Sequence, residues 1–312
     1  MIDTMKYFKF IPSAILAVVI LYAACGKPET SVKQAQTKLS VSFIAEPFVE
    51  NEGTKSSYID GSFQWNETDT VGIYPNTGSQ IYFSMAEGAG TSSAVFDGGG
   101  WGFRENAVYY SYYPFIADFY LDINNIPVSF LHQIQNNPSN LDHFGKFDYM
   151  YTPASMADNG SLVFSYRHMV CIIRVNATLP AGSYRQITVA APTPVFVKNG
   201  HFDLQSETPK IVADESSCEL TVSFKNPITV DGSTPFYAYL ISNPVNLKGV
   251  EITVSAVNSE KQQLDCKKTP SSNYEAANLY GLGCSSWTEV PQTVGFALDD
   301  WGEGGNINGK AE

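Results

Sequence analysis

The sequence predicts an all-β protein made of two consecutive β-sandwich domains. Three observations carry that reading: apolar residues alternate at period two in short runs, turn-forming clusters separate the runs, and no segment holds a helical period for three turns. In "KLSVSFIA", Leu39, Val41 and Phe43 fall on one face, with Ser40 and Ser42 opposite. "CELTVSF" repeats the pattern with Leu220, Val222 and Phe224. Successive side chains of a strand point to opposite faces, so such alternation reads as half-buried strands.

The N-terminus is different. Lys6 and Lys9 precede an apolar run from Phe10 to Ala24 that is interrupted only by Pro12 and Ser13. A membrane-spanning helix needs roughly 20 apolar residues. This run is shorter, and with its basic flank and terminal alanines it reads as a secretory signal over residues 1–24. Leu21-Tyr22-Ala23-Ala24-Cys25 resembles the lipobox of bacterial lipoproteins, which implies that the Cys25 thiol is acylated and becomes the new N-terminus. Residues 25–37 are polar and suit a flexible tether.

Beyond the tether, β-rich runs succeed one another: "TVGIY" (70–74), "QIYFS" (80–84), "SAVFD" (93–97), "AVYYSYY" (107–113), "SLVFSY" (161–166) and "CIIRVNA" (171–177). They continue with "QITVAA" (186–191), "VFVKNGHFDL" (195–204), "VEITVSAV" (250–257), "PFYAYLIS" (235–242) and "TVGFAL" (293–298). Asn199-Gly200 within "VKNGHF" predicts a tight hairpin, because this pair accepts the positive φ angles of a type I′ turn. "SNYEAANLY" is the best helix candidate, and it is short. So many short strands exceed one seven-stranded antiparallel sandwich and suit two. The polar stretch "TLPAGSY" sets the expected boundary, with an N-terminal sandwich over 38–178 and a C-terminal sandwich and tail over 179–312.

With 312 residues, 44% of them apolar and 13% aromatic, the chain has ample material for large cores. Its formal net charge of −12 becomes −13 when residues 1–24, with Lys6, Lys9 and Asp3, are removed. So acidic a chain has no footprint for a phosphate backbone, which argues against nucleic acid as a partner. It is also repelled by anionic lipid, which leaves Cys25 as the membrane attachment. Cys171, Cys218, Cys266 and Cys284 are widely spaced without a C-x-x-C pair, so a zinc site has no support. Cys171, in "HMVCIIRV", reads as a small buried hydrophobe. Pairing of Cys266 with Cys284 is one of three possible arrangements, and free buried thiols are an equal alternative.

Several stretches, taken in order, resemble the fimbrillin-like lipoproteins of Bacteroidetes, the superfamily of major and minor fimbrium subunits. They are "TKSSYIDGSFQWNETDTVGIY", "AVYYSYYPF", "FDYMYTPAS", "LVFSYRHMVCIIRV", "YEAANLYGLGC" and "FALDDWGEGGNINGKAE". The resemblance implies two transthyretin-like, Greek-key sandwiches and no enzymatic activity. It further implies export as a surface-exposed outer-membrane lipoprotein, proteolytic removal of the N-terminal strand near Leu39–Ala45, and filling of the vacated groove by a strand from another fimbrial subunit. Such strand exchange satisfies exposed backbone groups and an apolar trough together. The family's best-understood members are processed after arginine, but no arginine lies between Cys25 and Arg104; Lys33, Lys38 and Lys55 offer basic sites there, with Lys38 and Lys55 the processing candidates unless another protease acts. An uncleaved member would be an anchor or tip component.

The function expected is therefore that of a structural or adhesive subunit of a fimbrium. The alternative is a monomeric glycan-binding surface lipoprotein, presenting ligand-facing aromatics such as Tyr112 and Trp101 to a host or glycan ligand. Consecutive tyrosines alternate faces, so of Tyr109, Tyr110, Tyr112 and Tyr113 one pair is expected inside and the other at the surface. His132, Asp142, His143 and Asp148 share one irregular stretch, but their spacing matches no metal-ligand pattern. No G-x-S-x-G elbow, H-E-x-x-H pair or phosphate-binding loop is present, and no catalytic residue, metal or cofactor is expected beyond a lipid on Cys25.

Overall fold

The computed structural model describes residues 41–45, 49–50, 63–99, 103–104, 106–118, 120–139, 141–157 and 162–291. Cys25, Lys38, Lys55, Trp101 and the expected strand at 293–298 lie outside them. In chain order the first strands are β1 (Val41–Ala45), β2 (Val49–Glu50), β3 (Thr70–Pro75), β4 (Ile81–Glu87), β5 (Ser93–Asp97) and β6 (Val108–Tyr113). There follow β7 (Ile126–Ser129), β8 (Gln133–Gln135), β9 (Met150–Tyr151), β10 (Ser155–Met156), β11 (Leu162–His168) and β12 (Cys171–Ala177). Next come β13 (Gly182–Ala190), β14 (Phe196–Phe202), β15 (Val212–Ser217), β16 (Glu219–Val230) and β17 (Phe236–Ser242). The last described strands are β18 (Ile252–Asn258), β19 (Gln263–Lys268), β20 (Asn278–Cys284) and β21 (Thr288–Glu289). The described residues are all-β, as expected, with one short 3-10 turn at Phe144–Lys146.

Eight strands form a sheet in the order β10-β6-β3-β4-β5-β1-β11-β9, and β9 also pairs with β6, so the sheet curls back on itself. It encloses a core that includes Trp65, Ile73, Phe83, Phe96, Tyr113, Phe164 and Tyr166. Trp65 is wholly buried and meets Phe63, Phe96, Tyr113 and Tyr166 edge to face, with ring centroids 4.6–5.7 Å apart. Each such contact contributes about 0.5–1.5 kcal/mol beyond burial. Its indole N–H donates to the Ser92 carbonyl, which satisfies the ring's one polar atom.

The remaining strands form three sheets, β17-β12-β20-β2, β21-β19-β18-β13-β16-β8 and β15-β14-β7, which all contribute to a second, larger core. β12 is buried along almost its whole length, Arg174 included. Most strand pairs are antiparallel, but β1–β11, β12–β20, β2–β20 and β8–β16 are parallel. Their partners lie far apart in the chain, where no tight hairpin imposes an antiparallel return.

Three local expectations are corrected. Asn199-Gly200 makes no hairpin turn; both residues lie within β14, between β7 and β15. The glycine instead permits close backbone approach at a bulge, since a Cβ at Gly200 would sit 2.3 Å from the Val212 carbonyl oxygen. "SNYEAANLY" is not helical: Tyr274 bridges to Val245 and Asn278 begins β20. The tyrosines of β6 do not divide between core and surface. Tyr109 and Tyr113 point into the first core, while Tyr112, beside Tyr74, joins the second. Both faces of β6 are thus covered, and Tyr110 is partly buried as well.

Candidate assembly site around the first strand

β1, the first of the described strands, lies inside the eight-stranded sheet. It pairs antiparallel with β5, Val41 opposite Phe96 through Ile44 opposite Ser93, and parallel with β11, Val41 opposite Leu162 through Ala45 opposite Tyr166. β11 alternates strictly, with Leu162, Phe164 and Tyr166 buried and Val163 on the outside. On β5, Ala94 and Phe96 are buried. The inner faces of both neighbours are therefore apolar, and β1 alone separates their hydrogen-bonding edges. Ile44 is exposed on the outer face, as is Val163 of the adjoining strand. Four residues beyond β1, β2 pairs with β20, so the N-terminal segment touches the sheets of both cores.

Other edges are closed in different ways. β17 is the end strand of its sheet, and its free edge is covered by two buried glutamines. Ile241 N–H donates to Gln133 Oε1 at 2.8 Å while Gln133 Nε2 donates to the Ile241 carbonyl at 2.7 Å. One step along, Tyr239 N–H donates to Gln135 Oε1 and Gln135 Nε2 to the Tyr237 carbonyl, both at 2.9 Å. Each carboxamide thus imitates a peptide group of a neighbouring strand. The backbone of the same residues, β8, pairs with β16, so one short segment joins two sheets. The exposed end strand β15 is instead blunted by charge, with Glu215 paired to Lys198 and Asp214 to His201. Sequence reasoning passed over Gln133 and Gln135; two glutamines at a spacing of two in an apolar context were the available signal.

Of the two proposed ligand-facing aromatics, Tyr112 is corrected. Its ring is 1% exposed, lies against Gly72, and its hydroxyl donates to Gln80 Oε1 at 2.6 Å. A ring so placed cannot stack on a glycan. Trp101 lies outside the described residues, as do Cys25, Lys38 and Lys55. The exposed aromatics among the described residues include Tyr82 and Tyr120.

The histidines and carboxylates of the 132–148 stretch are drawn to separate partners. His168 Nδ1 meets Asp148 Oδ1 at 2.6 Å with both side chains fully buried, so the pair has no access to a substrate. Burial pushes the Asp148 carboxyl above its usual range, and the neighbouring His168 opposes that shift. Asp69, also raised by burial, accepts from Tyr113 and from the Asn66 N–H. His143 is buried with Nε2 3.1 Å from the Tyr239 carbonyl, and His132 is exposed. No group of three His, Cys, Asp or Glu side chains among the described residues is close enough to hold a metal ion.

No protein-family model matches the sequence, and no curated protein does. Solved structures do. A putative cell adhesion protein from Bacteroides uniformis is similar with a TM-score of 0.52 and 11% identity, over 82% of this chain and 97% of that one. A putative cell adhesion protein from Bacteroides ovatus has a TM-score of 0.50 and 11% identity, over 83% of this chain and 97% of its own. The chain thus shares a fold with Bacteroides proteins of this kind, in keeping with the family resemblance of its sequence.

Proposed function

We infer that this chain is a surface-exposed structural subunit of a fimbrial or adhesive assembly, delivered to the outer membrane as a lipoprotein through Cys25. It joins other fimbrial subunits by β-strand donation. The observation that carries the reading is the place of β1 between β5 and β11. Loss of β1 would leave two unpaired strand edges above a trough lined by Ala94, Phe96, Leu162, Phe164 and Tyr166, and an incoming strand would restore both pairing and burial. The two similar solved structures, both of putative cell adhesion proteins, agree with it.

The two processing candidates have different consequences. A cut after Lys38 leaves β1 joined to the rest of the chain, whereas a cut after Lys55 severs β1 and β2 together from everything that follows. Lys55 is therefore the site compatible with strand release. The test is to treat the protein with a lysine-specific protease and follow its size in mild denaturant. Ladders that appear on cleavage after Lys55, and fail to appear for Lys55→Gln, are expected. A cleaved protein that stays monomeric sinks the strand-donation reading.

A further inference from the structure

We propose that Cys266 and Cys284 form a disulfide that fastens two sheets of the larger core to each other. Cys266 lies on β19 in the six-stranded sheet and Cys284 on β20 in the four-stranded sheet, and both are buried in the same core. The chain connection places them near each other. After Cys284 it turns through Ser285–Trp287 into β21, which lies against β19 with Thr288 opposite Asp265, the neighbour of Cys266. Trp287 fixes the turn by donating its indole N–H to the Thr178 carbonyl at 2.9 Å. In the structure both are free, buried thiols, and burial, with the neighbouring Cys266 as a further cause, holds the Cys284 thiol in its protonated form.

The other cysteines are placed elsewhere. Cys171 is buried on β12 and directs its S–H to the Asn243 carbonyl at 3.4 Å, and Cys218 is exposed. Of the three pairings that these four cysteines permit, the fold favours one.

The chemistry is thiol–disulfide exchange with a small-molecule or protein disulfide as oxidant. One cysteine thiolate attacks the oxidant's S–S bond and releases a thiol; the second thiolate then displaces the other half, leaving one new S–S bond and two reduced thiols on the oxidant. Only thiolates attack, and the folded core buries both sulfurs away from an oxidant and suppresses the Cys284 thiolate, so the bond forms as the chain folds, before β19 and β20 close over it. Occurrence of the bond in cells rests on the export reading above, because such bonds persist in oxidising compartments. Its formation in vitro does not.

The test refolds the full chain in a glutathione redox buffer, traps free thiols with an alkylating agent, and maps each cysteine by peptide mass. A linked Cys266–Cys284 peptide, lighter by two hydrogens (about 2 Da), with Cys171 and Cys218 alkylated, is expected. In Cys266→Ala, which keeps the site apolar, Cys284 should become alkylated. Because the bond closes a loop of about 18 residues, the oxidised protein should also melt several degrees above the reduced one. Alkylation of both cysteines after refolding, or a bridge that includes Cys25, Cys171 or Cys218, would overturn the proposal. Protein trapped in intact cells separates the two claims: a bond that forms in vitro but is reduced in cells contradicts export and leaves the pairing standing.

Discussion

Replacing Gln133 with alanine isolates the role of the glutamine ladder. The substitution strips the Ile241 N–H and carbonyl of the partners they meet at 2.8 and 2.7 Å, in a place where Gln133 is 1% and Ile241 0% exposed. A buried backbone group left without a partner costs about 1–3 kcal/mol, and two are orphaned here. The missing side-chain volume adds to this, so the expected loss is about 3–5 kcal/mol. The assay is the urea midpoint at unchanged slope, read for Gln133→Ala beside Ile134→Ala. Ile134 belongs to the same strand but is exposed, and its truncation should cost less than about 1 kcal/mol. Equal losses for the two variants would refute the reasoning, since they would show that the carboxamide bonds contribute nothing beyond local packing. Gln133→Met refines the test by keeping the bulk and removing the bonds; it should remain far below the wild type.

Gly72→Ala should destabilise the fold by about 1–3 kcal/mol, because the added Cβ would stand 2.2 Å from a Tyr112 ring carbon; pairing it with Tyr112→Leu should recover part of the loss in a thermal melt. His143 supplies a pH test. Burial, the main cause, lowers its pKa below the ordinary 6.5, and its Nδ1 has no hydrogen-bond partner among the described residues. The unfolded chain therefore binds the proton more readily than the native one, so His143 stabilises the fold above about pH 6.5 and loses that contribution as pH falls toward its native value. Denaturation curves across this window should show a smaller acid-side decline for His143→Gln. Trp65→Ala should cost about 3–5 kcal/mol, given four ring partners and complete burial, and calorimetry would detect it as a large fall in midpoint.

The strands most legible in the sequence were those with a single job. β5, β6 and β12 lie close to where period and composition put them, because β-branched and aromatic residues there meet a core directly. β15 was passed over because its residues, "VADESS", are almost all exposed, and an end strand without a buried face leaves no alternation to read. β8 was missed for another reason. Its glutamines act through the backbone of a strand about one hundred residues away, and no local pattern encodes that distance. Asn199-Gly200 misled because the residues that favour a turn also tolerate a bulge, and only the neighbouring Val212 backbone decides between them. At the candidate site, the apolar face of β1 was readable, but its position between β5 and β11 follows from topology. Tyr112 failed as a surface residue because both faces of β6 are covered, which a single strand's sequence does not announce.

The central place of β1 also has a consequence for the order of folding. Its neighbour β5 lies only about fifty residues on, but its other partner β11 begins at Leu162 and the partner of β2 begins at Asn278, so the pairings of the N-terminal segment are completed in stages. Contacts of such long range form late, since loop closure must precede the gain they bring. Until β11 is made, a β1–β5 pair has one unpaired backbone edge beside the apolar side chains of β5. A chain held at that stage is sticky and vulnerable, which calls for a chaperone or for rapid local closure.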